Sequence, residues 1–356
     1  MSIVVYEWGR ALKEWGAIWA ELVDSGGFNP SLHPDWMSSY LSAHDLIDAA
    51  YVIKIECAGV NVAIVPVILR KISIVGVPVR CLDLVSNVLS YHAELLVSGD
   101  VNQVIAVVLD SQLFENCDVF RLGNLVSTGV TVSALKELPA HLVAGVVGYK
   151  GESSPYFSLE QGWSEYVSKL PKKMRANIKG SIRSTQIAGE NEMIWYLEDC
   201  DIDRLLCDIL EVEKMSWKAA DNKAIRSDSK EGTYYHNLLP WLGSRGLLAN
   251  VLYINGRPAS YVLCAKWNGW IGQLKTSFAE DIRDAGFRVI HASIENSFSG
   301  GNREYDFLGD VAPHKMRWAN KIRTHHDIWI FDKHIRGSAL LSVKRLADKF
   351  NKRSLG

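Results

Sequence analysis

The sequence predicts a mixed α/β protein of two domains. Three observations carry that expectation. The chain has 356 residues, more than one hydrophobic core usually organises. Strand-like and helix-like segments are interspersed along both halves rather than segregated. A polar, turn-forming stretch, Gly151-Glu152-Ser153-Ser154-Pro155, stands between the halves and marks a boundary.

The elements follow in order. Leu12, Trp15, Ile18, Trp19 and Leu22 recur at helical spacing and stop at Gly26-Gly27, which predicts a helix over 12–25. After the Asn29-Pro30 and His33-Pro34 turns comes a short helix over 36–43. Residues 51–57 and 60–70 read as strands joined by an Ala58-Gly59 hairpin, and 72–79 as a third strand. A helix over 101–114 and strands over 119–125 and 142–149 complete the first half. The second half opens with a short strand, 156–159, and a helix from Gly162. It continues with a strand over 193–196, helices over 202–217 and 234–244, and strands over 247–254, 257–267 and 270–277. Asn255-Gly256 is the strongest hairpin signal in the chain. A helix over 287–298 ends at Gly300-Gly301, strands follow at 304–308 and 326–331, and a basic amphipathic helix covers 335–350. These divisions give domains 1–155 and 156–331 and a basic tail, 332–356.

Composition narrows the function. Hydrophobic residues make up 48% and charged residues 22%, and the formal net charge is −1, so no global charge favours DNA or an anionic membrane. The apolar run 60–69 is interrupted by Asn61 and Pro66 and is too short to span a bilayer. The first residues lack the pattern of a secretory signal, and the six cysteines are scattered without a Cys-x-x-Cys pair; both point to a cytoplasmic protein with reduced thiols. No metal-ligand spacing, Walker A loop, His-Glu-x-x-His or Gly-x-Ser-x-Gly motif is present, so no metal is expected.

Four ordered stretches carry more information: LPKKMRANIKGSIRS, EVEKMSWKAADNKAIRSD, LYINGRPASYVLCAKWNGWIGQLKTSFAEDIRDAG and EYDFLGDVAPHKMRW. Together, over about 163–318, they resemble the GNAT acyltransferase superfamily in its CelD-like and FemAB-like branch, with a BioF-type acetyltransferase domain. The first half resembles it only loosely, in its strands and in LVSNVLSYHAELL. The resemblance implies two tandem GNAT-like domains, the first degenerate. It also implies acyl-CoA as co-substrate, its pantetheine lying along a splayed strand as an added strand would. That role falls on 271–277, with Gln273, Lys275 and Thr276, and the pyrophosphate site falls on the turn of Arg283, Gly286, Phe287 and Arg288. A helix N-terminus offers unpaired N–H groups to an anion, and Gly286 permits close approach. Arg288 departs from the family's small residue there, and Gly286 read alone is only a loop glycine before a helix.

Asp306, Asp310 and His314 are the candidate proton acceptors for an amine nucleophile. Asp306 alternates with Tyr305 and Phe307 and so faces away from them; its structural alternative is to cap the following loop and pair with Lys315 or Arg317. Lys275 either faces solvent or, as the resemblance implies, steadies the substrate or the thioester oxygen. Trp217 and Lys218 close a helix and, with Lys315, are candidates for the acceptor side; the alternative is a core tryptophan and a lysine at a helix C-terminus. The acid-free run from Lys169 to Arg183 would attract an anionic substrate, bind tRNA, or simply form a solvated helix face.

The expected activity is direct N-acyl transfer from acyl-CoA to an amine, with an amino sugar or polysaccharide precursor as the acceptor that family analogy implies, in exopolysaccharide biosynthesis. The rival readings are a FemAB-like transferase using aminoacyl-tRNA and a non-catalytic GNAT-like module.

Overall fold

The computed structural model describes all residues except 28, 58–59, 87–91, 222 and 355–356. The expected Ala58-Gly59 hairpin and part of LVSNVLSYHAELL lie outside the described residues. The chain forms two compact units, residues 1–152 with 324–356, and residues 153–323.

The first unit contains β1 (Ser2–Glu7), α1 (Trp8–Ser25), α2 (Pro34–Ala43), β2 (Ala50–Cys57), β3 (Val60–Ile74), β4 (Val77–Leu84), β5 (Leu96–Val97), α3 (Val101–Leu109), α4 (Gln112–Glu115), β6 (Val119–Val126), α5 (Val130–Leu135) and the start of β7 (Val143–Ser158). β1 to β4 pair antiparallel in sequence order, and β6 returns parallel to β4 after α3. Alternate residues of the sheet, Ile53, Ile55, Val65, Val67, Leu82 and Leu84, are buried with Val104, Ile105 and Val108 of α3.

The second unit begins inside β7 and holds α6 (Trp163–Lys169), α7 (Lys172–Ala188), β8 (Asn191–Tyr196), α8 (Ile202–Lys214), α9 (Trp217–Ala220), α10 (Lys230–Gly243), β9 (Leu247–Ile254), β10 (Arg257–Trp267), β11 (Trp270–Phe278), α11 (Ala285–Ser297) and β12 (Glu304–Asp306). β13 (Lys321–Asp332) and α12 (Ile335–Ser354) end the chain. The plan of the first unit recurs. β8 to β11 pair antiparallel in order, α11 crosses over, and β12 lies parallel to β11. The protein is therefore two tandem α/β units of one GNAT-like topology. Among the described residues no helix is long and apolar enough to cross a membrane.

Helices cover both faces of the second sheet. On β10, Ser260 bonds to the Ala285 carbonyl of α11, while the next residue, Tyr261, donates to Glu213 of α8. Period-two alternation therefore puts α8 and α11 on opposite faces. Leu205, Ile209 and Val212 bury one stripe of α8, while Ala285, Val289 and Ile294 do the same for α11.

Four local expectations change, the first being the helix over 101–114, which is broken at Asp110 and Ser111 into α3 and α4. Residues 151–155 are strand, not turn: Gly151 packs so closely on the His325 backbone that a Cβ would come 3.3 Å from its carbonyl oxygen, and the Pro155 carbonyl accepts from Phe307 N at 2.9 Å. The run 72–79 is broken by a two-residue hairpin at Val75 (φ 50°) and Gly76 (φ 82°), a positive-φ pair like Asn255 (53°) and Gly256 (74°). Trp217 opens α9 rather than closing α8, because α8 ends at Lys214.

Candidate active site

The parallel ladder between β11 and β12 is short. It joins Trp270 to Glu304, Ile271 to Tyr305 and Gly272 to Asp306, and no further. β10 stays paired with β11 as far as Phe278, with a bulge opposite Leu263 and Cys264. Among the described residues, the β12-facing edge of Gln273 to Phe278 has no strand partner. Beyond β11 the chain turns into α11 through Asp284, whose φ is 62°. The first unit has the same three-residue ladder, Cys81–Val119, Leu82–Phe120 and Asp83–Arg121. There the gap beyond the ladder is filled by the chain itself: Ala93 pairs parallel with Leu125, its N–H donating to the Asn124 carbonyl at 3.1 Å.

Side chains on the open half of β11 are held individually. Gln273 is buried and accepts from the Tyr305 hydroxyl at 2.9 Å; Thr276 donates to the Tyr261 carbonyl at 2.8 Å. Lys275 reaches Glu231 of α10 at 2.6 Å. Lys218, on α9, donates to the Thr276 carbonyl at 2.7 Å and to Glu213 at 3.2 Å. Glu213 is fully buried and also accepts from Tyr261 Oη at 2.7 Å and Ile225 N at 3.0 Å. Burial pushes the Lys218 ammonium below its ordinary pKa, against the opposing pull of Glu213. Trp217 is largely exposed, its ring 5.9 Å from the Lys223 ammonium.

Asp306 is fully buried at the end of the ladder. Its carboxylate accepts from Leu308 N at 2.8 Å, from Ser154 Oγ at 3.3 Å and from Arg323. It caps the following loop, with Arg323 as its cation in place of Lys315 or Arg317. Arg323 also forks onto both Glu304 oxygens at 2.9 and 2.8 Å. Burial works against the Arg323 charge, but the bonds to Glu304 and the field of Asp306 outweigh it, and its pKa is raised. Asp310, His314 and Lys315 lie together on the next loop. Lys315 bonds the Leu308 carbonyl at 2.7 Å and Asp310 Oδ1 at 3.1 Å, and this bond lowers the Asp310 pKa. His314 is exposed; partial burial and then Lys315 push its pKa down.

At the start of α11, a Cβ on Gly286 would stand 2.5 Å from the Phe278 ring, so any other residue there must displace that ring. Arg283 is exposed and 3.6 Å from Asp284, while Arg288 turns inward to His291 at 3.4 Å. Phe287 packs on Trp318.

Sequence reasoning did not single out Glu213, Glu231 or Arg323. Glu213 carried a signal: it shares the buried stripe of Ile209 and Val212, and an acid on a core face calls for a partner. Arg323 carried none, because its partners are 17 and 19 residues away.

Two parallel strands that separate after one short ladder, ahead of a helix N-terminus, are the arrangement that the GNAT resemblance implies. Residues 172–316 match the family model described as Acetyltransferase (GNAT) domain, so this part of the chain is a GNAT-type acetyltransferase domain. The structure is similar to that of FemX over 92% of this chain and 97% of that one (TM-score 0.61, 10% identity). A conserved protein of unknown function from Bacteroides thetaiotaomicron VPI-5482 is similar over 93% of this chain and 100% of its own (TM-score 0.60, 12% identity). L-PGS from Bacillus licheniformis is similar over 88% and 96% (TM-score 0.51, 10% identity). At these identities the likeness is one of fold. No curated protein sequence matches the chain.

Proposed function

We propose that this protein transfers an acyl group from acyl-CoA directly to an amine, without a covalent enzyme intermediate. The observation that carries this reading is the open edge of Gln273 to Phe278. An extended pantetheine arm can bond main-chain groups there as an added strand, with its pyrophosphate toward the α11 N-terminus at Gly286. The donor then approaches on the α11 face. The amine arrives on the face of α8 and α10, where Lys218, Lys275 and Glu231 stand and exposed Trp217 borders.

In the reaction the amine nitrogen attacks the thioester carbonyl, the C–S bond breaks, and the CoA thiolate leaves and takes up a proton. The open N–H groups of β11 are suited to the developing oxyanion. The acceptor's ammonium must first lose a proton. Asp306 is a poor acceptor for it, being buried and engaged by three donors, and Asp310 is held ionised by Lys315. Glu231 is partly exposed but engaged by Lys275 at 2.6 Å in the same way, so we assign the proton to solvent water, with Asp306 a positioning residue that fixes β12.

An amino sugar or polysaccharide precursor in the cytoplasm is our first acceptor class. A second reading, transfer from aminoacyl-tRNA, is favoured by one observation: α7 exposes Lys172, Lys173, Lys179 and Arg183 and contains no acid. Thermal unfolding with and without acyl-CoAs separates the two. Acyl-CoA at about 100 times its dissociation constant should stabilise the protein by about 2.7 kcal/mol. No shift with any acyl-CoA, together with salt-sensitive binding of charged tRNA, would overturn the first reading in favour of the second.

A further inference from the structure

α7 lies outside the repeated topology, ahead of its first strand β8, and packs along α11. Between the two helices runs a cleft of about 530 Å3. Three arginines from three separate segments line it: Arg183 of α7, Arg283 of the turn before α11, and Arg317 of the loop after β12. Arg183 and Arg317 are exposed and form no ion pair among the described residues; Arg283 is 3.6 Å from Asp284, the only acid in the lining. Ser184 Oγ, donating to the Arg283 carbonyl at 3.4 Å, ties the two walls together. At Asn177 and Arg317 the cleft continues into a second cavity of about 510 Å3, whose lining includes Leu170, Met174, Met316 and Trp318. Three guanidinium groups, two of them without an ion pair among the described residues, beside a hollow with an apolar wall and the cations Lys169 and Lys173, suit a ligand with several phosphates and a flat heterocycle.

We propose that this cleft reads the phosphorylated nucleotide end of the donor, so that α7 makes the protein select free CoA thioesters over thioesters on a phosphopantetheinylated carrier protein. Both donors present the same pantetheine arm to β11. Only CoA carries an adenosine 3′,5′-bisphosphate, whose negative charge is complementary to Arg183, Arg283 and Arg317. The inference rests on the acyl-CoA reading above.

The test uses the full chain and two probes. Adenosine 3′,5′-bisphosphate binding is measured by calorimetry. Acyl transfer to a panel of amines is compared between an acyl-CoA and the same acyl group on pantetheine. The bisphosphate should bind the wild type, and an R183A/R317A double variant should bind it at least about tenfold more weakly. Both arginines are exposed and unpaired, so the unliganded melting temperature should not move. Acyl-pantetheine should be a donor with KM raised by about tenfold or more, and in the double variant the two donors should converge. Equal use of both donors by the wild type, or unchanged bisphosphate affinity in the double variant, overturns the inference and leaves acyl transfer standing. Bisphosphate binding without turnover of any thioester keeps the cleft and removes the acyl-CoA reading.

Discussion

Asp306 shows how one buried charge can organise a site without acting in it. Its donors include Ser154, Leu308 and Arg323, so it joins β7, the loop after β12 and β13 at one point. Replacing Arg323 by leucine leaves Asp306 and Glu304 without their cation, and a broken buried pair costs about 3–5 kcal/mol. Urea denaturation should register that loss, and a double variant that also carries D306N should recover much of it. A loop cap was legible from Asp306 in its strand; its cation was not, because only the tertiary fold brings Arg323 to it. A second prediction concerns His291, buried between Trp163, Trp318 and Arg288. Burial first, and Arg288 second, push its pKa from 6.5 down to about 4. The unfolded chain then binds the proton more readily than the folded one between these values. Stability should fall as pH drops from about 6.5 towards 4, by about 3 kcal/mol in all, and level off below. Equilibrium unfolding across that range checks it, and His291→Gln should flatten this part of the curve.

Among elements, β11 with the turn into α11 carries the most consequence. Gly286 is favoured there by the Phe278 ring rather than by its own φ, since a Cβ would lie 2.5 Å from that ring. Gly286→Val should displace Phe278 and reduce the acyl-CoA-dependent rise in melting temperature by more than it lowers the unliganded one; equal effects would remove the turn from donor binding. The hairpin at Asn255-Gly256 was plain in the sequence because both residues tolerate positive φ. Its counterpart at Val75-Gly76 was hidden, because a β-branched residue at φ 50° runs against the usual preference and leaves the strand pattern uninterrupted. Gly151 to Pro155 misled in the opposite direction: turn-forming residues occur there in a strand, with the glycine serving close contact with His325.

At the scale of the whole molecule, the two units share one connectivity with no visible sequence repeat. Hydrophobic alternation specifies strands and faces but not which strands pair, so the match is apparent in register rather than in residues. The units differ where it matters for chemistry. In the first, Ala93 on Leu125 extends the seam beyond its ladder, and Arg121 locks the ladder's last residue, Asp83, at 2.9 and 2.5 Å. In the second the corresponding edge stays open. Calorimetry should therefore count one CoA per chain, although the fold occurs twice; two equivalent sites would contradict the asymmetry.

The self-filled seam has a thermodynamic corollary. A segment joined covalently to its own groove settles the entropy of association once, during folding, at an effective concentration fixed by the chain. A diffusing donor meets that cost at every encounter. The first half of the protein thus needs no ligand at this seam, while the cohesion of the second half, on the acyl-CoA reading, should rise with the supply of thioester, coupling its resistance to unfolding to the metabolic state around it.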